Sequence, residues 1–206
     1  MQALVTRVNL IRHGECDDVA FLRGRTDSSL SKQGWVQMQQ AIASLAVPDM
    51  VLSSPAQRCY AFGVQHFEST QAWQILQERN FGDWDGLSFD QLQSRHPKAI
   101  KAYLADPFSY RIPNAETLIA FRHRVKQLWQ EVIQVASSQQ VQQMHIFTHG
   151  GVMRLLIQQL LGMDDQNLFQ IKIDYAARLS VDIYHSEDKA FSQFVELRQF
   201  KSSTPS

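Results

Sequence analysis

The chain has 206 residues, of which 44% are hydrophobic, so it is long enough to bury one sizeable core. Twenty basic and twenty acidic residues cancel, and no basic tract stands out, which argues against sequence-independent binding to nucleic acid. No apolar run reaches the roughly 18 residues of a membrane-spanning helix, and we expect no signal peptide because Arg12 and His13 come so early. The two cysteines, Cys16 and Cys59, form no metal-type pair, which predicts free thiols in a cytoplasmic protein.

The chain opens with a strand, a loop and a helix. The apolar run VNLI (8–11) predicts a buried strand that ends at Arg12 and His13. Turn-forming residues follow, and the spacing of apolar residues then predicts a helix over 35–46, with Ser31 as the cap near its start.

The second strand is predicted over DMVLSS (49–54). Ser54, Pro55 and Gln57 then have the pattern of an N-cap, a proline at the first helical position and a capping-box glutamine. This pattern places Arg58 in the first turn of a helix that directly follows a strand.

The middle of the chain is less regular. AWQIL (72–76) predicts a third strand, and the glycine-punctuated FGDWDG a loop. The proline-broken, aromatic-rich segment 84–113 predicts short helices and loops that form a small cap. Apolar residues on one stripe predict a long amphipathic helix over 116–136.

The last third predicts a strand over MHIFT (144–148), an apolar helix over 151–162 that ends at Gly162, and a hairpin over 179–200. Strands interleaved with helices indicate an α/β fold, a three-layer α/β/α sandwich with a mostly parallel central sheet and a C-terminal hairpin. We expect one domain over 1–200, with the cap inserted at 84–113, and a disordered tail over 201–206.

Basic side chains follow three of the predicted strands. Arg12 and His13, Arg58, and His149 each come after a strand, and ligands of such sheets bind at the carboxyl ends of the strands. Phosphoryl transfer from a monoester needs fixed cationic donors, a neutral imidazole as nucleophile and an acid for the departing oxygen. Two arginines, two histidines and one carboxyl group would supply these parts without a metal or a cofactor.

Six motifs occur in the order found in the histidine phosphatase superfamily, which includes the cofactor-dependent phosphoglycerate mutases. The sequence resembles this family at LIRHGE, LSKQGWVQ, SSPAQR, LQERNFGDWDG, PNAET and FTHGGVMRLL. The resemblance extends over nearly the whole chain and implies the phosphoglycerate mutase-like fold. It implies that His13 is the nucleophile, that Glu78 is the general acid, and that His149 belongs to the catalytic set.

The resemblance also implies that Arg12, Arg58, His149 and Gly150 bind the phosphoryl group. Residues expected at the edge of the substrate pocket are Glu15, Cys16, Arg25, Trp84 and Glu116. Asp83 and Asp85 are rival candidates for the acid. The chain departs from the family pattern at Cys16, Val19 and Ala115. These departures would affect the outer phosphate contacts and the substrate preference.

Phosphatases are favoured over mutases because the region between the acid motif and PNAET is short and carries few basic residues. The FGDWDG and PNAET segments and the C-terminal hairpin are similar to those of α-ribazole phosphatase of cobalamin biosynthesis. This resemblance implies α-ribazole 5′-phosphate as the leading substrate. The alternatives are a phosphoglycerate mutase, a broad-specificity sugar phosphatase and, from a different class, a non-catalytic phosphate-binding domain. The expected partner is a small phosphorylated metabolite, and a homodimer is left open.

Both cysteines flank candidate phosphate ligands: Cys16 follows His13 closely, and Cys59 is next to Arg58. One hypothesis is that oxidation of these thiols disturbs the pocket. The alternative is two inert small residues.

Overall fold

The computed structural model describes residues 4–18, 20, 22–186 and 189–200. Its centre is one six-stranded sheet, whose strands in chain order are β1 (Val5–Arg12), β2 (Met50–Ser53), β3 (Gln71–Ala72), β4 (Gln143–Thr148), β5 (Arg178–His185) and β6 (Ala190–Arg198). The spatial order is β3-β2-β4-β1-β5-β6. The first four strands in that order are parallel, while β5 pairs antiparallel with both β1 and β6. The predicted mostly parallel sheet with a C-terminal hairpin is confirmed.

The described helices are α1 (Lys32–Ile42), α2 (Gln57–His66), α3 (Phe89–Arg95), α4 (Pro97–Ala105), α5 (Leu118–Ser138) and α6 (Gly150–Leu161). As predicted, helices cover both faces of the sheet: α1 and α2 pack on one face, and α5 and α6 pack on the other. Short 3₁₀ turns occur at Gln74–Leu76, Gly82–Trp84 and Asp165–Gln170. The predicted cap of α1 is confirmed, since the Ser31 hydroxyl accepts a hydrogen bond from the Gly34 N–H at 3.0 Å. Gly162 ends α6 with φ 61°, a left-handed conformation that glycine adopts without steric cost.

The alternation of side chains along β1 divides the core into two layers. Leu10 packs into the cluster shared with α5 and α6, whereas Ile11 packs on the other face against Met38 of α1 and Phe62 of α2. Both faces of the strand are therefore buried over 8–11, where three of the four residues are apolar.

The predicted strand over 72–76 is wrong beyond Ala72. In the described sheet β3 lies at the edge, and it pairs with β2 through Gln71 and Ala72. The chain then turns at Gln74–Leu76, and this turn buries the Leu76 side chain in the core. Burial of Leu76 therefore outweighs continuation of an edge strand that has one neighbour.

The predicted capping pattern of α2 is also wrong. The helix begins at Gln57, one residue after an Ala56 that provides no side-chain cap. The Gln57 N–H instead donates to Asp27 Oδ1 at 2.7 Å, so a side chain from another loop satisfies this free N–H group. The Ser54 hydroxyl lies 2.8 Å from the ring of His149. Arg58 does lie in the first turn, as predicted.

Segment 84–113 contains α3 and α4, in keeping with the short helices expected there. Its apolar side chains form, together with Leu22, a cluster separate from the two layers of the sheet; its members from the segment are Trp84, Leu92, Ile100, Tyr103 and Ile112. The interpretation of this segment as a cap inserted into one domain stays a prediction. The tail over 201–206 and Val19 lie outside the described residues. Within the described ranges, no helix combines the length and hydropathy that spanning a bilayer requires.

Candidate active site

The ends of β1, β2 and β4 bring the basic side chains together. Arg12 pairs with Thr148 in the parallel register, the His13 N–H donates to Thr148 O at 2.9 Å, and the Ser54 N–H donates to Phe147 O at 2.9 Å. The residues that follow each strand therefore start from the same edge of the sheet. We call Arg12, His13, Arg58 and His149 the basic cluster.

The His13 ring has a defined tautomer. Its Nδ1 lies 2.8 Å from the carbonyl oxygen of Gly14, which can only accept a hydrogen bond. Nδ1 therefore carries the proton, and Nε2 keeps its lone pair. Gly14 is required at this point, because a Cβ there would lie 2.3 Å from the carbonyl oxygen of Gly34.

Both histidines of the basic cluster are neutral bases in a positively charged surrounding. Burial lowers the pKa of His13 well below its usual value, and the charges of Arg12 and Arg58 lower it further. The pKa of His149 is lowered by burial first and then by Arg58. The two rings are 5.4 Å apart. His149 Nδ1 has no hydrogen-bond partner among the described residues, which leaves that atom available to a ligand.

Carbonyl groups, rather than carboxylates, hold the two arginines. Arg12 Nη1 donates to Ile173 O at 2.6 Å, and Arg58 donates to Thr26 O at 2.7 Å and Gly24 O at 3.0 Å. Within the described part of the chain neither arginine forms an ion pair, and the Nε atoms of both are buried without a partner. The cluster thus has two uncompensated charges and unused donors, an arrangement suited to a dianion.

Two backbone N–H groups fix the carboxylate of Glu78 beside the start of α6. Its oxygens accept from Arg79 N at 2.9 Å and from Gly151 N at 2.8 Å. Gly151 permits this close approach, since a Cβ at that position would lie 2.2 Å from Glu78 Oε1. Glu78, Arg12 and His13 line the same cavity.

The rival carboxylates lie elsewhere. Asp85 accepts from Arg25 N at 2.7 Å and from Thr26 N at 2.8 Å, so it anchors the loop whose carbonyls hold Arg58. Burial raises the pKa of Asp85, but the hydrogen bonds from Thr26, Arg25 and Phe81 outweigh it, and the net shift is downward. Asp83 is exposed and accepts from Asn114 at 2.8 Å. Neither aspartate lines the cavity.

The cavity that opens from His13 has a volume of about 870 Å³ and extends towards α4 and the Asp165–Gln170 turn. Among the described residues, five aromatic side chains line it: Phe81, Tyr103, Phe108, Phe169 and Tyr175. Arg154, on α6, also lines it. The Nε of Arg154 donates to Ile171 O at 3.0 Å, and in the described residues its guanidinium has no carboxylate partner.

Five residues predicted at the edge of the substrate pocket do not line this cavity; they are Glu15, Cys16, Arg25, Trp84 and Glu116. The Glu15 and Arg25 side chains are exposed to solvent. Trp84 is only 2% exposed and fills the apolar cluster of segment 84–113. Glu116 forms an ion pair with Arg124 at 2.7 Å. Trp84 and Glu116 lie in recognised motifs, and these structural contacts account for their place there without contact to the cavity.

Cys16 lies behind the nucleophile candidate: its Sγ is 3.7 Å from His13 Nδ1. Cys59 Sγ lies 3.9 Å from His149 Nε2 and 3.3 Å from Thr148 O. Both thiols are free and buried, and burial raises the pKa of each. A raised pKa reduces the fraction of reactive thiolate, which favours the inert alternative.

The sequence did not single out Ser54, Arg23, Arg154 or Tyr175 as site residues. Ser54 and Arg154 lie inside two of the recognised motifs, SSPAQR and FTHGGVMRLL, and their place in these motifs could have identified them as site residues. Gly150 begins α6, and a Cβ there would lie 3.3 Å from Arg12 Nε. No group of three or more histidine, cysteine, aspartate or glutamate side chains within the described ranges could hold a metal ion.

Comparison with known proteins places this site in a family. A sequence model of the histidine phosphatase superfamily (branch 1) matches residues 8–194. The adenosylcobalamin/alpha-ribazole phosphatase of Escherichia coli is 28% identical over 186 residues, which cover 86% of this chain and 90% of that protein. Phosphoserine phosphatase 1 of Hydrogenobacter thermophilus is 24% identical over 193 residues, 90% of this chain and 89% of that protein.

A comparison with solved structures agrees with the sequence comparison. The crystal structure of the alpha-ribazole phosphatase from Shigella flexneri superposes with a TM-score of 0.75 at 25% identity, covering 92% of this chain and 96% of that chain. The family match extends over most of the chain and includes all four residues of the basic cluster. The protein is a phosphoric monoester hydrolase and belongs to the histidine phosphatase superfamily (branch 1).

Proposed function

We propose that the chain hydrolyses small phosphomonoesters without a metal, through a phosphohistidine on His13. The observation that carries this proposal is the hydrogen bond from His13 Nδ1 to Gly14 O, which leaves Nε2 as a free nucleophile beside two arginines without carboxylate partners. In the first step Nε2 forms a bond to phosphorus as the bond to the ester oxygen breaks. Glu78 gives a proton to the departing oxygen.

In the second step water attacks the phosphorus and the bond to His13 Nε2 breaks. Glu78, now a carboxylate, takes the proton from that water. Arg12, Arg58 and His149 bind the phosphoryl oxygens in both steps, where their fixed donors stabilise the charge that spreads over those oxygens in the transition state. Gly150, at the start of α6, is proposed to contribute to the same contacts.

A trapping experiment tests the nucleophile. Protein mixed with labelled substrate and quenched in alkali is expected to retain a phosphoryl group on a peptide that contains His13, because phosphohistidine survives alkali. His13→Ala is expected to lose both label and turnover, whereas His123→Ala, an exposed histidine on α5, should keep both. Turnover by His13→Ala would contradict the assignment. Loss of activity with chelator, restored by magnesium, would contradict the metal-independent mechanism.

We propose α-ribazole 5′-phosphate as the leading substrate. Its leaving group is a ribose that carries an aromatic base, and such a group is large, flat and largely uncharged. A cavity of about 870 Å³ with five aromatic side chains suits a leaving group of this size and character. The relatives named as alpha-ribazole phosphatases support the same substrate.

Phosphoserine is a second candidate, and Arg154 is the observation that favours it. This guanidinium lies in the cavity four residues after Gly150, so it is about 6 Å further along α6 from the basic cluster. Without a carboxylate partner in the described residues, it could pair with a carboxylate on a small substrate. The relative named phosphoserine phosphatase 1 supports this alternative.

A substrate panel separates these proposals. kcat/KM is compared for α-ribazole 5′-phosphate, phosphoserine, 3-phosphoglycerate and a sugar phosphate, in the unaltered enzyme and in Arg154→Leu. A ribazole phosphatase should prefer the first substrate and tolerate Arg154→Leu, whereas a phosphoserine phosphatase should lose at least tenfold with this variant. Product analysis distinguishes hydrolysis from transfer by a mutase.

The alternative of a non-catalytic domain also has a test. Failure to hydrolyse p-nitrophenyl phosphate from mildly acid to neutral pH would favour a non-catalytic phosphate-binding domain. A cytoplasmic location and a homodimer stay predictions.

A further inference from the structure

A tight turn before β5 carries the side chain that covers the basic cluster. The Ala177 N–H donates to Asp174 O at 3.1 Å, so Tyr175 and Ala176 are the two central residues of the turn. Ala176 is fully buried and has φ 55°, a left-handed conformation that is costly for a residue other than glycine. Strain of this kind is retained where the surrounding structure requires the geometry.

This turn and the residue before it are bonded to the end of β1 at three points. The Arg12 N–H donates to Ala177 O at 3.0 Å, and the Ala176 N–H donates to His13 O at 3.2 Å. Arg12 Nη1 donates to Ile173 O at 2.6 Å. The position of Tyr175 is therefore coupled to the backbone of the two residues that begin the basic cluster.

The Tyr175 ring lies flat against the charge of Arg12. The Arg12 Cζ is 4.3 Å from the ring centroid, and the ring of His13 is 5.7 Å away. Arg23, which is itself bonded to Asp18, is a further charged neighbour of the phenol group. Two arginines and the ring of His13 are therefore neighbours of Tyr175.

We propose that Tyr175 is a positioning residue that holds the Arg12 guanidinium in its phosphate-binding orientation. Within the described residues the Arg12 side chain donates one hydrogen bond, to Ile173 O, and no carboxylate restrains it. A carboxylate in this place would compete with the phosphoryl group for the same donors. The face of an aromatic ring attracts the guanidinium but leaves its N–H groups and its charge available to a dianion.

The inference rests on the proposed role of Arg12, so its test measures phosphate binding separately from turnover. The ligands are inorganic phosphate and vanadate, which have no leaving group. Binding is measured directly by calorimetry, and kcat and KM are measured with p-nitrophenyl phosphate and phosphoserine. The variants are Tyr175→Phe and Tyr175→Leu, with Tyr184→Leu as the control at a 40% exposed tyrosine of β5.

Tyr175→Leu is expected to weaken phosphate and vanadate binding by roughly five- to thirty-fold, the range of a partly buried cation–π contact. kcat/KM should fall by a similar factor for both esters, while Tyr175→Phe, which keeps the ring, should stay within about threefold. Tyr184→Leu should change neither. Unaltered phosphate binding in Tyr175→Leu would overturn the proposal. A loss confined to the aromatic ester would also overturn it, because Tyr175 would then contact only the leaving group.

A second series keeps the shape of the ring, so that misfolding of Tyr175→Leu cannot leave the question open. Phenylalanine and 3,4,5-trifluorophenylalanine at position 175 differ chiefly in the negative charge of the ring face. Weaker phosphate binding in the fluorinated protein is expected, and equal binding would refute the contact. If the unaltered protein binds phosphate but hydrolyses no ester, the proposed function fails while this comparison still decides the role of Tyr175.

Discussion

Gly151→Ala is the sharpest available test of Glu78 as the general acid. The added Cβ would lie 2.2 Å from Glu78 Oε1 and 2.9 Å from its Cδ. The carboxyl group must move by about 1 Å to restore ordinary van der Waals contact. Because the group is the end of a flexible side chain, it can move without disturbing the sheet.

The expected loss follows from that displacement. General acid catalysis contributes about 10²- to 10⁴-fold, and a misplacement of about 1 Å can cost about 10²-fold. For an alkyl phosphate we therefore expect kcat to fall about 100-fold. Stability should change by no more than about 1 kcal/mol, because the gain from alanine in a helix offsets the weakened hydrogen bond from Gly151 N to Glu78.

The assay compares two leaving groups. Phosphoserine needs a proton on its departing oxygen, whereas p-nitrophenol leaves readily as an anion. Gly151→Ala should lower kcat about 100-fold on phosphoserine and only a few fold on p-nitrophenyl phosphate, with Glu78→Gln showing the same contrast. Gly63→Ala, on α2, is the control, since its Cβ would lie 2.8 Å from Thr70 Cγ2, away from the cavity. Equal losses on both substrates, or no loss on either, would refute the assignment of Glu78.

Three further predictions concern titrating groups. Because burial and the neighbouring arginines lower the pKa of His13, its imidazole stays neutral below pH 6.5, and a kcat/KM profile should show no acid limb centred there. Burial and Arg178 lower the pKa of His145 to about 4, so the unfolded chain gains a proton first as the pH falls. The unfolding free energy should then drop by about 3 kcal/mol between pH 6.5 and 4 because of this histidine. Urea titrations of His145→Leu should show a pH dependence of the unfolding free energy that is smaller by this amount. Buried Cys16 and Cys59 should be alkylated much more slowly in the native than in the denatured protein, as mass spectrometry would show.

Each of these three predictions has an outcome that would contradict it. A half-maximal loss of kcat/KM near pH 6.5 would show that His13 titrates like an exposed histidine. An unchanged pH slope in His145→Leu would assign the acid sensitivity to other groups. Activity that depends on reductant would restore the hypothesis that oxidation of the thiols disturbs the pocket.

The order of strands and helices could be predicted because it depends on local patterns. Apolar runs identified β1, β2 and β4, and the 3.6-residue period identified α5. The errors occurred where a distant contact decided the outcome. The chain after Ala72 turns to bury Leu76, and Asp27, thirty residues away in the chain, satisfies the first turn of α2. No local pattern contains these contacts.

The sequence by itself determined which basic side chains lie at the edge of the sheet. Arg12, His13, Arg58 and His149 follow strands of a parallel sheet, and parallel strands bring such residues to one edge. Only the tertiary structure decided how they are used: Gly14 O sets the tautomer of His13, Gly151 admits the carboxylate of Glu78, and the turn at Ala176 places Tyr175 on Arg12. The physical reason is that the close approach to Glu78 and the stacking on Arg12 join residues far apart in the chain. Even the bond from His13 to its neighbour Gly14 depends on a backbone direction that only the fold sets.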